Sequence, residues 1–135
     1  MDQVHSRYSV GLRNVGSYQV AGHPYLTGSA TLAAGAEEQI KFPTVAKSVV
    51  VINHAAHIIR VHFNSSVANG SVLDNRHYVE LDSDEDSFTF NVKCKEIWIS
   101  APAANGGEAQ YQIYAELTGI PTSSMYPMTG AGLTD

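Results

Sequence analysis

A chain of 135 residues suffices for one domain with its own core and needs no disulfide or metal staple. A net charge of −5, with eight scattered Lys and Arg residues, argues against a nucleic-acid backbone as partner. No apolar run approaches the ~18 residues of a helical membrane span, and MDQVHSRYSV at the start lacks the apolar centre expected of a secretory signal. Cys94, the one cysteine, cannot form an internal disulfide; a buried thiol in a protein folded in a reducing cytosol is the expectation.

Residues 1–16 show no sustained period and few large apolar groups, so they read as an N-terminal arm that forms no core alone. Tyr18, Val20, Tyr25 and Leu26 follow, interrupted by Gly22, His23 and Pro24. That pattern predicts one interrupted or edge strand, because proline cannot donate to a ladder. Residues 31–35 (TLAAG) read as a connection. Residues 38–43 (EQIKFP) alternate, with Ile40 and Phe42 inward and Pro43 ending the strand. Residues 47–53 (KSVVVIN) hold a continuous apolar run, which places this strand centrally with both faces covered. After Ala55 and Ala56, residues 57–64 (HIIRVHFN) alternate with Ile59, Val61 and Phe63 inward and Arg60, His62 and Asn64 outward. The short link suggests a hairpin between these two runs.

Residues 64–75 read as a long loop with a turn at Asn69 and Gly70, anchored by Val72 and Leu73. A strand with His77, Val79 and Leu81 on one face and Tyr78 and Glu80 on the other comes next, then an acidic turn at 82–86 (DSDED). Residues 86–100 (DSFTFNVKCKEIWIS) carry the strongest period-two alternation, broken near 92–95, and predict two strands around which the rest is built. Residues 101–108 (APAANGGE) read as a hairpin loop. In the final strand, Tyr111, Ile113, Ala115 and Leu117 share one face, and Tyr114 shares the other with Gln112 and Glu116. About eight short strands with no helical period predict an all-β domain over residues 17–117, a single β-sandwich of jelly-roll or Ig-like type. Residues 118–135 form a second, C-terminal arm whose larger apolar residues are Ile120, Met125, Tyr126, Met128 and Leu133. These are too few to order the segment alone, so a neighbouring surface is expected to hold both arms.

Chemistry-bearing residues form no familiar constellation. His54 and His57 have HxxH spacing, and His62 and His77 lie on predicted strands, but no zinc motif matches and solvent-facing or interface histidines are expected. Asp82, Asp84 and Asp86 copy the first three ligand positions of an EF-hand loop. The match then fails, with Ser87 at its glycine position and Lys93 at its bidentate glutamate, so an acidic solvated turn is expected. No nucleophile elbow or phosphate-cradling glycine loop occurs, and Glu37 and Glu38 point to opposite faces of a strand. The sequence therefore predicts no catalytic residues, no cofactor and no resident metal. Trp98 and Tyr114 lie opposite the core-facing residues of their strands. They need a covering layer, either a partner or another part of the same chain.

The segments SYQVAGHPYLTGS, IKFPTVAKSVVVIN, RVHFNS, HYVEL, FNVKCKEIWIS and AELTGI together resemble small virion structural proteins of tailed bacteriophages, particularly those of cyanobacteria and other aquatic bacteria. The similarity spans residues 17–120. It implies a non-enzymatic β-rich protein in many symmetric copies on the particle, assembled in the host cytoplasm. Its implied role is a capsid decoration or cement protein whose partners are the major capsid protein and neighbouring copies of itself. Neither nucleic acid nor membrane is an expected partner. The expected interface residues are Tyr8, Tyr18, Tyr25, Trp98, Tyr114, Ile120, Met125, Tyr126, Met128 and Leu133, with many weak contacts adding by multivalency. The alternative is a tail- or fibre-associated β-sandwich module that binds a host receptor or glycan on its loops.

Overall fold

The computed structural model describes residues 23–135. The expected N-terminal arm, and with it Tyr8 and Tyr18, lies outside the described residues. Seven strands follow in chain order: β1 (His23–Leu32), β2 (Glu37–Asn53), β3 (Ile59–His62), β4 (Val79–Leu81), β5 (Ser87–Phe90), β6 (Cys94–Ser100) and β7 (Ala109–Pro121). One helical turn, α1 (Ser71–Asp74), lies within the stretch expected to be loop, and a 3₁₀ turn, Thr122–Ser124, follows β7. The domain is all-β, as the alternation predicts. Its ladders join all seven strands in one antiparallel sheet of order β1-β7-β2-β6-β3-β4, with β5 also paired to β2.

β2 organises this sheet. The alternation of Ile40 and Phe42, then the run from Val49 to Ile52, makes one strand rather than two. Pro43 does not end it, contrary to expectation. Its side chain is exposed, and the ladders absorb it with register shifts between Lys41 and Ala46 against β6 and between Thr44 and Ser48 against β7. The first half of β2 pairs with β6 (Glu37↔Ser100 to Lys41↔Glu96) and the second half with β5 (Val49↔Phe90 to Ile52↔Ser87). β5 and β6 thus run in tandem along the same edge of β2. Their break at residues 91–93 lies beside the irregularity in β2.

All seven strands contribute to one core that includes Leu32, Phe42, Val49, Val51, Ile59, Val61, Leu81, Phe90, Ile97, Ile99 and Ile113. Edge-to-face aromatic pairs cross it, Tyr25 with Phe42 at 5.8 Å and Phe63 with Phe90 at 5.7 Å. Such pairs contribute about 0.5–1.5 kcal/mol each beyond area burial. The expected sandwich is replaced by a single antiparallel sheet that includes every described strand.

Two expected hairpins are absent. β6 lies between β2 and β3, so the runs 47–53 and 57–64 do not pair with each other. The loop 101–108 joins β6 to β7 across β2 rather than turning one strand onto the other. Among the described residues β1 is an edge strand, as Pro24 suggested; it runs through Pro24 to Leu32, taking in Thr31 and Leu32 of the expected connection.

The C-terminal segment is packed on its own domain, which corrects the expectation of an arm from residue 118. β7 continues to Pro121. Ile120 and Met125 are buried with Val45 in a small second core that Met128 joins to the main one. Thr118 Oγ1 donates to Val45 O at 2.7 Å, Lys95 Nζ to Met125 O at 3.3 Å and Asn64 Nδ2 to Met128 O at 2.7 Å. Counting only large apolar side chains missed these polar anchors.

Candidate functional site

The outer face of the neighbouring strands β1, β7 and β2 follows from strand alternation. Tyr111, Ile113, Ala115 and Leu117 of β7 point into the core, so Gln110, Gln112, Tyr114 and Glu116 point out. The register sets Leu26 of β1 opposite Tyr114 and Val50 of β2 on its other side, with Gly28 and Ile52 flanking Gln112. Leu26 is 75% exposed and Tyr114 38%. A groove of about 840 Å³ runs over Leu26, Gly28, Ile52, His54, Gln112 and Tyr114. Gly28 is required there, because a Cβ would sit 2.5 Å from the Tyr111 carbonyl oxygen. The close approach of β1 to β7 leaves the groove floor without a side chain.

Beside this face lies the edge of β1 that has no strand partner among the described residues. Its ten residues, HPYLTGSATL, carry no Asp, Glu, Lys or Arg. Among the described residues its only strand partner is β7. Natural sheets blunt long edges with charge, bulges or covering segments. The opposite edge, β4, shows such protection: it is three residues long and holds an ion pair between Glu80 and Arg60 at 3.2 Å.

The expected interface residues that are described separate into exposed, half-buried and core groups. Tyr114 and Tyr126 are exposed, the latter 64%. Trp98 is half-buried on β6, opposite Gln39 of β2 and His62 of β3. Tyr25 is half-buried, its ring against Phe42, whereas Ile120 and Met125 are core residues and do not form an external interface. Met128 and Leu133 are half-buried; Leu133 lines a small cleft with Phe63 and Phe90. Leu26 was missed because Pro24 was read as interrupting its strand, which left its face unassigned. Val67 and Phe88, also exposed, lie on a loop and beside a sheet edge.

His62, expected to face outward, is fully buried. The loop after β3 folds over it. His62 Nδ1 lies 2.7 Å from Asn64 O, so this nitrogen carries the proton and donates. His62 Nε2 then accepts from the Ser100 hydroxyl at 2.8 Å. Glu37 Oε1 is 3.8 Å from Nε2 and takes hydrogen bonds from the Ser66 N–H and hydroxyl, while its Oε2 takes one from the Ser65 hydroxyl. Burial holds His62 below its ordinary range. Burial works to raise Glu37, but the Ser66 and Ser65 hydrogen bonds outweigh it and hold the carboxyl below its usual value. A Ser–His contact of this kind is half of a nucleophilic pair, yet Ser100 is closed to solvent and the imidazole proton is spent on a carbonyl. The group holds β3, β6 and the 64–66 loop together.

The three aspartates of the acidic turn do not converge as EF-hand ligands. Asp86 Oδ2 accepts from the Ser83 N–H and Asp82 Oδ1 from the Ser83 hydroxyl. Among the described residues, the set of three ligand groups close enough to share a cation is His54, Asp84 and Glu85. No helix among the described residues is long and apolar enough to cross a membrane. No family model, curated protein or solved structure matches the chain.

Proposed function

We propose that this protein is a non-enzymatic virion structural protein of a tailed phage, a decoration or cement protein that coats the major capsid lattice alongside copies of itself. The observation that carries the reading is the pairing of an uncharged ten-residue edge, β1, with exposed Leu26 and Tyr114 on the adjoining face. An edge of this kind offers backbone groups to another chain, and the apolar face beside it gives that contact area. The docking role moves from the C-terminal segment, which is packed on its own domain, to the β1 face. Repetition over a lattice turns weak single contacts into high occupancy.

The test is to locate the chain on purified particles by cryo-electron microscopy. Density over the head lattice, with occupancy reduced in Leu26→Asp, supports the reading; particles that lack the chain overturn it. A receptor- or glycan-binding tail module is the second reading. It is favoured by the groove, whose lining includes Tyr114 and the hydrogen-bonding residues Gln110, Gln112 and His54. Confinement of the chain to the tail, with glycan-array binding lost in Tyr114→Ala, would select it.

A further inference from the structure

Two features distant in sequence meet at the end of β2. His54 follows the last residue of that strand, and residues 82–86 turn between β4 and β5. Backbone bonds fasten them together: Asn53 N–H donates to Asp86 O at 2.8 Å, and Glu85 N–H donates to Asn53 O at 2.7 Å. One ligand atom from each of His54, Asp84 and Glu85 lies within 4.8 Å of the others.

The proton on His54 is fixed from outside this cluster. Gln112 Oε1, on β7, lies 2.8 Å from His54 Nε2. A carbonyl oxygen only accepts, so Nε2 carries the hydrogen and Nδ1 of the neutral ring is a bare lone pair. Nδ1 faces Glu85 Oε1 at 3.7 Å, with the Asp84 carboxylate beside them. Three acceptors thus converge, and a cation between them satisfies all three. Metal-binding histidines are oriented in the same way, with the outer N–H given to a neighbouring oxygen and the inner nitrogen left free.

The geometry points to a divalent-cation site made by His54 Nδ1, Asp84 and Glu85, for an ion of the Zn²⁺ type. An imidazole with two carboxylates suits borderline ions, whereas Ca²⁺ takes six to eight oxygens. Ligand atoms around Zn²⁺ stand about 3.3–3.6 Å apart, given bonds of ~2.0–2.2 Å. The present spread, at most 4.8 Å, therefore closes by up to about 1.5 Å, which two exposed carboxylates on a turn supply by side-chain rotation. Three protein ligands leave a coordination position for water at the rim of the groove that His54 shares with Gln112. The bound ion staples the β4–β5 turn to the end of β2.

Calorimetric titration of the full chain with Zn²⁺ alone, at neutral pH, tests the site. The expected result is saturable one-to-one binding, weakened about tenfold or more in His54→Ala and in Glu85→Gln, and weakened also in Gln112→Ala through the lost orientation of the ring. Far-UV circular dichroism of each variant checks that the fold is intact, and His57→Ala binds as the parent does. Absence of saturable binding overturns the proposal. Binding that survives His54→Ala overturns it as well, since the ion then sits elsewhere.

Discussion

The Ser100 hydroxyl donates to His62 Nε2 across 2.8 Å inside the core, and that bond fixes the histidine as a neutral group. The linkage sign follows. Burial holds the native pKa of His62 below its ordinary 6.5, so the unfolded chain takes up a proton that the native chain refuses. Stability from this group is therefore intact above pH 6.5, falls as pH drops below that value, and stops falling below the native pKa. Glu37 acts in the same direction at lower pH: its stabilisation is present above 4.5 and is lost as pH falls through its depressed native value. Urea denaturation is expected to show these contributions unchanged from pH 8 to 6.5 and lost below pH 6.5, and His62→Gln is expected to flatten the portion just below pH 6.5. A parent protein equally stable at pH 7 and pH 5 would count against the neutral histidine.

Asn53 is fully buried and uses its whole amide. Its Nδ2 donates to His57 O at 2.8 Å and to Leu81 O at 3.0 Å, and its Oδ1 accepts from Ala55 N–H at 3.0 Å. Asn53→Ala leaves these backbone groups unpaired, at a cost of about 2–4 kcal/mol. Asn53→Asp is expected to be worse, because a carboxylate turned toward two carbonyl oxygens finds no donor. Chemical denaturation of both variants measures the order.

Met125 is 5% exposed and packs with Val45 and Ile120. Met125→Ala is expected to destabilise the domain by about 2–4 kcal/mol. Truncation after Pro121 should expose Val45 and Ile120 and lower the melting temperature. An unchanged melting temperature would show that the C-terminal segment contributes nothing to its own domain.

Gly28→Ala drives a methyl group against the Tyr111 carbonyl and should cost about 1–3 kcal/mol by forcing β1 away from β7. Hydrogen exchange resolved by residue is expected to show the loss of protection concentrated in β1.

Cys94 lies on β6 with its thiol pushed up to about 12, first by burial and then by Glu96. It should resist thiol reagents in the native protein and react at a rate set by unfolding. Rapid labelling without denaturant would contradict the packing around β6.

The sequence was most readable where alternation was strong. The strands around Phe88 to Ile99 and the inward face of β7 follow from period two, and the central placement of residues 47–53 from their unbroken apolar run. What escaped it depends on partners distant in the chain. Pro43 has a local signal for termination, but two neighbouring ladders absorb the irregularity. His62 alternates outward until the 64–66 loop covers it, and Thr118 and Asn64 anchor the last segment with hydrogen bonds that hydropathy does not register. His54 and the acidic turn each looked unremarkable alone, because only the β2–β5 pairing brings them together.

β1 has consequences for the order in which the molecule is made. It leaves the ribosome before every other described strand, yet its partner β7 comes last, so β1 waits unpaired while nearly all the rest is synthesised. Closing that distant ladder late slows productive folding and leaves a neutral, sticky ribbon open to other nascent chains. Yield of soluble protein during rapid expression should therefore be governed by this strand more than by the stability of the finished domain.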